Sequence, residues 1–363
     1  MLDQLAINGF RCFSSFQISG LRRLNLISGK NSVGKSALLE AIQFYLRPDL
    51  DSLVDLLDWR GQLVPSRQLP VWTEETVQPL FHSSLRDRAQ QFELASSARR
   101  IRCRLAFHQR NADDAWVEAP DNTNGAPRKR VLRVEAPGAA REPYFFLALD
   151  GSIEFDESPI GARRASQAFL RYAKAAGQRV LHARAVPFDS DVLSEMLESL
   201  LGTERHDDVM RVLQWIVPDA ISAFTKGQGD VRSIYLQTGR FADPQPLASF
   251  GDGAVRLTGI SLAMILAKDG YCLIDEIENG IHYTLFRKLW PLLNRISGEL
   301  NVQVFASTHS KDCLEAFEET SADTNFDAAF FRLERSDAGG IEAVRLDYEN
   351  FFSRVTGTPY EVR

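Results

Sequence analysis

One short segment limits what this chain can fold into more than any other part of it. Residues 29–36 read Gly-Lys-Asn-Ser-Val-Gly-Lys-Ser, between the apolar run of residues 24–27 and a run with helical spacing from Ala37 to Leu46. Glycines let the backbone coil so that successive N–H groups point at phosphate oxygens, and the following helix adds its positive end. The segment therefore predicts a phosphate-binding loop between a strand and a helix, with a Gly/Ser-rich turn as the alternative.

Side chains of this loop have predicted tasks of their own. Lys35 is expected to reach the β- and γ-phosphates of a nucleotide. Ser36 is expected to hold Mg²⁺ through its hydroxyl, because a small hard cation prefers oxygen ligands and usually keeps several waters. The nucleotide-binding residues predicted here are Gly29, Lys30, Asn31, Ser32, Val33, Gly34, Lys35, Ser36 and Ala37.

A buried strand that ends in two acids follows in the second half of the chain. Residues 271–274 are a near-continuous apolar run, typical of a strand covered on both faces, and Asp275 and Glu276 come directly after it. Ligands in open α/β sheets bind at the carboxyl ends of strands, so we expect both acids beside the phosphate loop. Asp275 is predicted to hold Mg²⁺, directly or through water, and Glu276 to polarise the attacking water. The alternative is an acidic turn after a core strand.

Polar residues follow a further apolar strand in the same way. Residues 302–306 are followed by Ser-Thr-His-Ser at 307–310. A histidine at the end of a strand can donate to a γ-phosphate oxygen or to the attacking water, so His309 is predicted to register whether that phosphate is present. The alternative is an inert surface histidine.

A second segment has the composition of an anion-binding helix end. Ser249-Phe250-Gly251-Asp252-Gly253 precedes a run with helical spacing over residues 255–267. Serine and glycine at a helix start expose backbone N–H groups at the positive end of the helix dipole. Because the chain already has a phosphate loop, this segment predicts a γ-phosphate clamp supplied across a dimer interface.

Composition sets outer limits on the class of protein. The 363 residues are enough for one large domain or two, and 44% hydrophobic with 25% charged residues is typical of a soluble protein. A net charge of −6 argues against a surface that coats nucleic acid indiscriminately. No apolar run of about 18 residues and no secretory signal occur, so the expected location is the cytoplasm. The cysteines lack any CxxC pair and are expected to be buried free thiols, namely Cys12, Cys103, Cys272 and Cys313.

Strand and helix patterns alternate along the rest of the chain. Helical spacing runs from residue 163 to about 218, whereas residues 109–142 have the weakest pattern and include a turn cluster at 121–127. The further predicted strands are Leu2–Ile7, Phe13–Ile18, Phe92–Leu94, Ile101–Phe107 and Ser233–Thr238.

Taken together, these motifs resemble those of the SMC/RecF/OLD-type branch of ABC ATPases. The resemblance rests on Gly-Lys-Asn-Ser-Val-Gly-Lys-Ser, Ser-Phe-Gly-Asp-Gly, Ile-Asp-Glu-Ile-Glu-Asn-Gly-Ile-His and Ser-Thr-His-Ser, with the opening residues 7–13, and it spans nearly the whole chain. Within that branch the chain is most similar to the small arm-less ATPases of bacterial anti-phage and toxin–antitoxin systems, including the ATPase partners of separately encoded nucleases.

The resemblance implies a fold and a division of the chain. The fold is α/β, an ABC-ATPase-like P-loop fold with a mixed sheet, an antiparallel β subdomain and a helical lid insertion. Residues 1–108 would form the N-terminal part of the ATPase core, residues 109–230 the insertion, and residues 231–363 the C-terminal part of the core.

The resemblance also implies ATP and Mg²⁺ as ligands and an ATP-sandwich homodimer. By that pattern Asp275 and Glu276 are the Walker B pair and His309 is the switch histidine. The signature residues, which would act on the other subunit's nucleotide, are Ser249, Gly251 and Gly253.

Several positions depart from the pattern or extend it. Asp252 stands where the transporter-type signature has glycine, which places a negative charge near the γ-phosphate. Gln109 is the candidate for the Q-loop glutamine, and the coiled-coil arms of SMC proteins are missing. Glu278 and Asn279 fall at the stretch that crosses the dimer interface in related enzymes, and His282 is predicted to cap the helix that begins there. A plain helix start is the alternative.

We expect a cytoplasmic ATPase whose dimer closes on ATP and opens on hydrolysis, and which thereby controls a partner effector, a nuclease or toxin, in anti-phage defence. One alternative is a regulatory scaffold in which ATP occupancy holds the effector inactive with little turnover, because no effector domain is visible. A third hypothesis is direct DNA binding, since arginines at 100, 102 and 104 alternate along a predicted strand and would share one face. The basic residues concerned, for which a hydrated face is the alternative, are Arg99, Arg100, Arg102, Arg104, Arg128, Lys129, Arg130 and Arg133.

Overall fold

The computed structural model describes residues 1–58, 74–82, 90–110, 116–118, 129–135, 145–148, 179–185, 188–228, 231–321, 326–336 and 339–346. These residues form three β-sheets and eight α-helices. The helices are α1 (Lys35–Leu46), α2 (Leu50–Asp58), α3 (Glu74–Val77), α4 (Ser190–Leu200), α5 (His206–Ile216), α6 (Asp252–Leu266), α7 (Phe286–Glu299) and α8 (Lys311–Ser321).

A six-stranded mixed sheet, called the central sheet below, carries the predicted motifs. From one edge to the other it contains Ile341–Leu346 (β16), Ala328–Arg335 (β15), Leu24–Gly29 (β3), Gln303–Ser307 (β14), Tyr271–Ile274 (β13) and Val180–Ala183 (β9). All neighbours from β15 to β9 pair in parallel, and β16 pairs antiparallel to β15. Strands β13 and β14 are buried along their whole length, as expected of parallel strands covered on both faces.

An antiparallel sheet forms the second layer. Its strands in spatial order are Phe13–Ser19 (β2), Gln4–Phe10 (β1), Gln90–Ala95 (β4), Arg100–Arg110 (β5), Lys129–Glu135 (β7) and Phe145–Ala148 (β8), with Trp116–Glu118 (β6) paired to β5. One hydrophobic core joins this sheet to the central sheet through α1, because Leu38 and Ile42 share it with Ile7 and Phe305. Helix α1 therefore meets apolar side chains on most sides, and nearly all of its residues are buried.

A second hydrophobic core lies around α6. It contains side chains from α4 through α8 and from the third sheet, which consists of Ala220–Gln228 (β10), Val231–Thr238 (β11) and Gln245–Pro246 (β12). Helix α6 is buried along most of its length, which agrees with its largely apolar sequence.

The structure confirms the predicted fold class, a mixed α/β fold with an additional antiparallel sheet. It corrects the run of helical spacing predicted for residues 163–218. Helices α4 and α5 lie in this run, but β9 also lies in it as the edge strand of the central sheet. A four-residue strand of Val-Leu-His-Ala is too short for periodicity to separate it from a helix. Residues 163–178 lie outside the described part of the chain.

The boundaries at residues 108 and 230 remain predictions. Within 109–230, β7 and β8 extend the antiparallel sheet and β9 extends the central sheet. The turn cluster predicted at 121–127 lies outside the described residues.

One expectation about the cysteines was wrong. All four are free thiols, but Cys12 is exposed whereas Cys103, Cys272 and Cys313 are buried. Cys12 lies in the tight turn between β1 and β2, where its neighbour Arg11 has a positive φ of 48°. Among the described residues, no helix combines the length and the apolar character that a membrane crossing needs.

Candidate active site

The strand order brings the predicted motifs to one edge of the central sheet. Strand β14 lies between β3 and β13, and the three strands run parallel. The phosphate loop follows β3, the acid pair follows β13, and Thr308 and His309 follow β14. Because parallel strands end at the same edge, all three motifs meet there.

The backbone of the phosphate loop requires its two glycines. Gly29 has a φ of 147° and Gly34 a φ of 111°, both in the region that side chains disfavour. A Cβ atom on Gly29 would lie 2.7 Å from the carbonyl oxygen of Leu333, and one on Gly34 would lie 2.9 Å from Sγ of Cys12. The loop is thus packed tightly against β15 and the β1–β2 turn, and α1 begins directly after Gly34.

Lys35 is held inside the loop. Its side chain is 8% exposed, and Nζ donates hydrogen bonds to the carbonyl oxygens of Gly29 at 2.8 Å and Lys30 at 3.2 Å. Burial lowers the pKa of Lys35, while the charges of Glu278, Glu276 and Asp275 act in the opposite direction. The lysine near the start of the chain and the acids from its second half therefore share one electrostatic environment.

The rest of the loop presents its backbone and short side chains at the surface. Lys30, Asn31 and Ser32 are exposed, whereas Val33 and Ala37 are buried. Ser36 is half-buried in the first turn of α1. Successive amides at a helix start with little side-chain cover are what a phosphate requires.

Ser307 organises the acid pair. Its hydroxyl donates to Oδ1 of Asp275 at 2.5 Å and accepts a hydrogen bond from the backbone N–H of Glu276 at 2.9 Å. Ile274 pairs with Ala306 in the β13–β14 register, so Asp275 and Ser307 are the next residues along neighbouring parallel strands. The sequence analysis gave Ser307 no role, although this adjacency follows once the two strands are taken as neighbours.

Glu276 is positioned from its backbone and its side chain. Its φ is 47°, a left-handed conformation that is costly for a residue other than glycine. The side-chain amide of Asn279 donates to Oε2 of Glu276 at 2.6 Å and to the carbonyl oxygen of Ala185 at 3.1 Å. Nδ1 of His309 lies 3.8 Å from the other carboxylate oxygen, Oε1. One oxygen of the carboxylate is thus held by a hydrogen bond and the other lies near a histidine, and the role of Glu276 as general base remains a prediction.

Glu278 holds the loop that carries His309. Its Oε1 accepts hydrogen bonds from the backbone N–H groups of His309 at 2.7 Å and Ser310 at 3.1 Å, and it lies 2.9 Å from Nδ1 of His309. The Glu278 side chain is only 8% exposed. Within one chain, Glu278 and Asn279 therefore contact their own active-site loops, and their place in a dimer interface remains a prediction.

His282 does not cap a helix in the predicted way. It precedes a 3₁₀ turn at Tyr283–Leu285, and its side chain makes no capping hydrogen bond there. Its Nδ1 lies 3.0 Å from the hydroxyl of Thr284, and helix α7 begins only at Phe286. The backbone first closes a 3₁₀ turn, with the N–H of Leu285 donating to the carbonyl of His282, which moves the helix start away from His282.

The signature segment is exposed. Residues 247–250 form a 3₁₀ turn, and Gly251, with a φ of 94°, precedes the first residue of α6. Ser249, Gly251 and Asp252 are exposed, and a Cβ atom on Gly251 would meet nothing within 4 Å. A Cβ atom on Gly253 would instead lie 3.4 Å from the carbonyl oxygen of Gly280. The start of α6 is therefore open on one side and packed against the segment after Glu276 on the other.

Arg256, the arginine behind the acid pair, was not predicted from the sequence. Arg256 on α6 is 4% exposed, and its guanidinium donates to the carbonyl oxygens of Arg184 at 2.5 Å and Asp275 at 3.1 Å. Burial lowers its pKa to about 10, against the opposing effect of Asp275 and Glu278. The signal that could have found it is a single basic residue inside a largely apolar helix.

Two further predictions fall on the antiparallel sheet. Gln109 lies in β5 opposite Val117, so its role as Q-loop glutamine remains a prediction. Of the arginines proposed to bind DNA, Arg100 and Arg102 both pair with Glu93 and Arg133 pairs with Glu135, while Arg99 packs over the Tyr45 ring. Arg128 lies outside the described residues, as do the side chains of Lys129 and Arg130.

The donor set at the sheet edge suits a magnesium ion bound together with phosphates. Ser36 and Asp275 offer the hydroxyl and carboxylate oxygens that Mg²⁺ prefers, and P-loop enzymes complete its coordination with phosphate oxygens and water. Among the described residues, no group of three or more His, Cys, Asp and Glu side chains is placed to hold a metal by itself. The roles of Ser36 and Asp275 as ligands remain predictions.

This site is typical of a P-loop nucleoside triphosphatase. Its loop requires two glycines and precedes a helix, Lys35 interacts electrostatically with three carboxylates, and Glu276 is hydrogen-bonded beside His309. Comparison with known proteins gives the family. Residues 24–312 match the family described as "AAA domain, putative AbiEii toxin, Type IV TA system", and the chain belongs to it. The chain is 22% identical over 345 residues to an "ATP/GTP phosphatase" of Helicobacter pylori, an alignment that covers 90% of each protein. The predicted resemblance to ATPases of toxin–antitoxin systems is thereby confirmed at the level of this family, and the chain is an ATPase.

Solved structures of SMC heads are also similar to this chain. The SMC head domain from Thermotoga maritima has 14% identity and a TM-score of 0.44, and the match covers 95% of this chain and 99% of that one. An SMC head bound to the C-winged helix domain of ScpA has 14% identity and a TM-score of 0.48, with 96% and 98% covered.

Proposed function

We propose that two copies of this chain close on Mg²⁺–ATP and open on hydrolysis, and that this cycle controls a separate effector in anti-phage defence in the cytoplasm. The observation that carries the proposal is the shared environment of Lys35, Asp275 and Glu276, which follow the parallel strands β3 and β13 on either side of β14. That environment contains one group for each requirement of phosphoryl transfer, namely phosphate charge, metal and attacking water.

Each side chain has a task in the proposed reaction. Lys35 neutralises the β- and γ-phosphates, exchanging its contacts with the loop carbonyls for phosphate oxygens. Ser36 and Asp275 would hold Mg²⁺, which supplies charge neutralisation on the same phosphates. Glu276, oriented by Asn279, accepts a proton from the attacking water, and His309 registers the γ-phosphate from the next strand.

The second copy is proposed because the signature segment is open. Ser249 and Gly251 precede the exposed N-terminus of α6, where backbone N–H groups and the helix dipole favour an anion. In the proposed dimer, Ser249, Gly251 and Gly253 contact the γ-phosphate held by the other chain. Asp252 would have to turn its carboxylate away from that phosphate, because two negative charges repel each other.

The effector is proposed to be a separate nuclease or toxin. This rests on the description of the matching family, which refers to a type IV toxin–antitoxin system. Opening and closing of the dimer would expose or cover the effector's binding surface. An ATP-occupied scaffold with little turnover would serve the same end, and a stable co-purifying partner with negligible ATPase activity would favour it.

Direct DNA binding has less support. Arg100, Arg102 and Arg133 are paired with glutamates, which offsets much of the positive charge of that face. A strongly salt-dependent affinity for duplex DNA that is lost on neutralising these arginines would reinstate it.

Complementation between two inactive variants tests the composite site. Lys35→Ala removes the phosphate lysine and Ser249→Arg blocks the signature, so each homodimer lacks both working sites. In an equal mixture about half of the dimers are mixed and each has one intact site, so about a quarter of wild-type ATPase activity is expected. Activity no greater than the sum of the separate variants would contradict a site shared between two chains.

A further inference from the structure

Arg256 joins the signature helix to the peptide groups around the proposed base. Nη1 donates to the carbonyl oxygen of Arg184 at 2.5 Å, and Nη2 donates to those of Asp275 at 3.1 Å and Glu276 at 3.5 Å. The guanidinium also lies over the Phe188 ring, 5.4 Å from its centroid. One side chain of α6 thus contacts the ends of both β9 and β13.

The planar shape of the group is what permits these contacts. A guanidinium carries several N–H donors in a fixed fork, whereas a lysine ammonium is a single point of charge on a flexible stem. Arg256 is 4% exposed, and a charge so deeply buried is costly unless it is paired and hydrogen-bonded. Hydrogen bonds to three carbonyl oxygens and the negative charges of nearby carboxylates offset the free-energy cost of burying this charge.

The contacts fall on a backbone position that needs restraint. The carbonyls of Asp275 and Glu276 belong to the peptide groups on either side of the Glu276 Cα atom, where φ is 47°. A left-handed conformation persists at such a residue only when its surroundings hold it there. Arg256 holds both peptide groups from one side, and Ser307 holds the Glu276 N–H from the other.

The signature segment lies at the same end of α6 as Arg256. Arg256 lies one turn after Gly251 and Asp252, and Gly253 packs against the Gly280 carbonyl that follows the acid pair. A displacement of the helix start therefore moves Arg256 relative to Glu276.

We propose that Arg256 is a positioning residue that couples the signature segment to Glu276, so that engagement of one nucleotide by the signature adjusts the base acting on the other. This inference rests on the proposed function, in which Glu276 is the base and Ser249 engages the partner's nucleotide. Arg256 itself touches neither ATP nor water. Its effect passes through the backbone of Asp275 and Glu276.

The test compares two substitutions of Arg256 with a matched control. Arg256→Gln removes the charge and the fork, and Arg256→Lys keeps the charge but reaches fewer carbonyls. Arg205 is the control, because its guanidinium also donates to a carbonyl of α6, that of Ile265 at 2.8 Å, at the opposite end of the helix. For each variant the kcat, the ATP dissociation constant and the thermal midpoint are measured on the full chain.

Misplacement of a base costs turnover more than binding. Arg256→Gln is expected to lower kcat about ten- to a hundred-fold with ATP affinity within about twofold of the wild type, and Arg256→Lys to lie in between. Arg205→Gln is expected to lower the thermal midpoint and leave kcat unchanged. A folded Arg256→Lys or Arg256→Gln protein with wild-type kcat would overturn the proposal, and so would the failure of both to fold, which would assign Arg256 a structural role alone.

A double-mutant cycle tests the coupling. If Arg256 transmits signature engagement, Ser249→Ala combined with Arg256→Gln lowers kcat no further than the more severe single variant. Multiplicative losses would show that the two residues act independently. Glu276→Gln distinguishes a failure of this inference from a failure of the proposed function. If Glu276→Gln is inactive while the Arg256 variants have wild-type kcat, only the coupling is rejected. If Glu276→Gln remains active, the assignment of Glu276 as the base is rejected.

Discussion

Several of the site's contacts converge on Glu276. Asn279 binds its carboxylate, Ser307 accepts from its backbone N–H, and Arg256 donates to its carbonyl. Such restraint fits a residue that must hold a water at one place relative to a phosphate, since general-base catalysis depends on geometry before pKa. At the residue scale, the site is a set of polar contacts that fix one carboxylate.

Lys35→Ala tests the phosphate loop. The change removes a charge-assisted contact of about 1.5–3 kcal/mol, so ATP affinity is expected to fall about ten- to a hundred-fold. Isothermal titration calorimetry with Mg²⁺–ATP measures it, and Lys226→Ala on β10 is the control for loss of a lysine elsewhere. Wild-type ATP affinity in the Lys35→Ala variant would contradict the assignment of this loop as the phosphate-binding site.

Ser307→Ala tests the link between β13 and β14. The change leaves the N–H of Glu276 and one oxygen of Asp275 without their shared partner, so the free energy of unfolding should fall by about 1–3 kcal/mol, together with kcat. Ser297→Ala is the matched control, because Ser297 is equally buried but its hydroxyl donates within its own helix, to the carbonyl oxygen of Asn294. Denaturant unfolding and steady-state ATPase assays provide the two readouts, and equal losses in both variants would show that Ser307 has no special place.

The sequence predicted the placement of residues in the fold where a motif fixes the spacing, whereas the roles of those residues remain predictions. The phosphate loop is flanked in the sequence by its strand and its helix, and the two acids directly follow their buried strand. The sequence around each motif therefore predicts where in the fold the motif lies. Arg256 and Ser307 could not be predicted in the same way. Their contacts depend on which strands are neighbours and on how α6 lies across them, and that information is spread over distant parts of the chain.

At the scale of elements, helix α1 is joined to the central sheet by polar as well as apolar contacts. Nδ1 of His182 on β9 lies 3.0 Å from Oε1 of Gln43 on α1. Strand β9 pairs with β13, the strand that the acid pair follows. The contact therefore links the helix after the phosphate loop to the neighbour of that strand. The short β9 escaped prediction because four residues between basic neighbours give no clear period.

Acid is expected to weaken this link. Burial lowers the pKa of His182 well below 6.5, and the charges of Arg184 and Arg256 lower it further. Between the unfolded value near 6.5 and the lower folded value, the unfolded chain binds a proton that the folded chain does not, so stability falls as the pH falls. The loss reaches about 1.4 kcal/mol per pH unit for one proton.

His182→Gln isolates that contribution. The variant keeps a donor for Gln43 and cannot titrate, so its free energy of unfolding should fall less between pH 7.5 and pH 5.5 than that of the wild type. Urea unfolding at both pH values measures the difference, and His206→Gln at the exposed start of α5 controls for the loss of a histidine as such. Parallel pH dependence of wild type and His182→Gln would refute the assignment.

At the scale of the whole molecule, two hydrophobic cores are built around two helices, α1 after the phosphate loop and α6 after the signature. Helix α1 belongs to the core that joins the sheets, and α6 to the core around the signature. The general architecture was predictable, because the order of motifs along the chain and the apolar character of β13 and β14 define a P-loop sheet. The sheet order and the antiparallel strands β7 and β8 were not, since pairing between distant segments leaves little trace in a single sequence.

The whole-molecule account depends on Glu276 acting as the base of a site that closes on ATP. The most direct measurement uses Glu276→Gln, with ATP binding, ATP turnover and molecular mass in solution determined on the same preparation. The account predicts ATP affinity within about twofold of the wild type, turnover reduced about 10²- to 10⁴-fold, and a stable dimer in the presence of Mg²⁺–ATP. Undiminished turnover would contradict the account, and a monomer that binds ATP normally would contradict closure on the nucleotide.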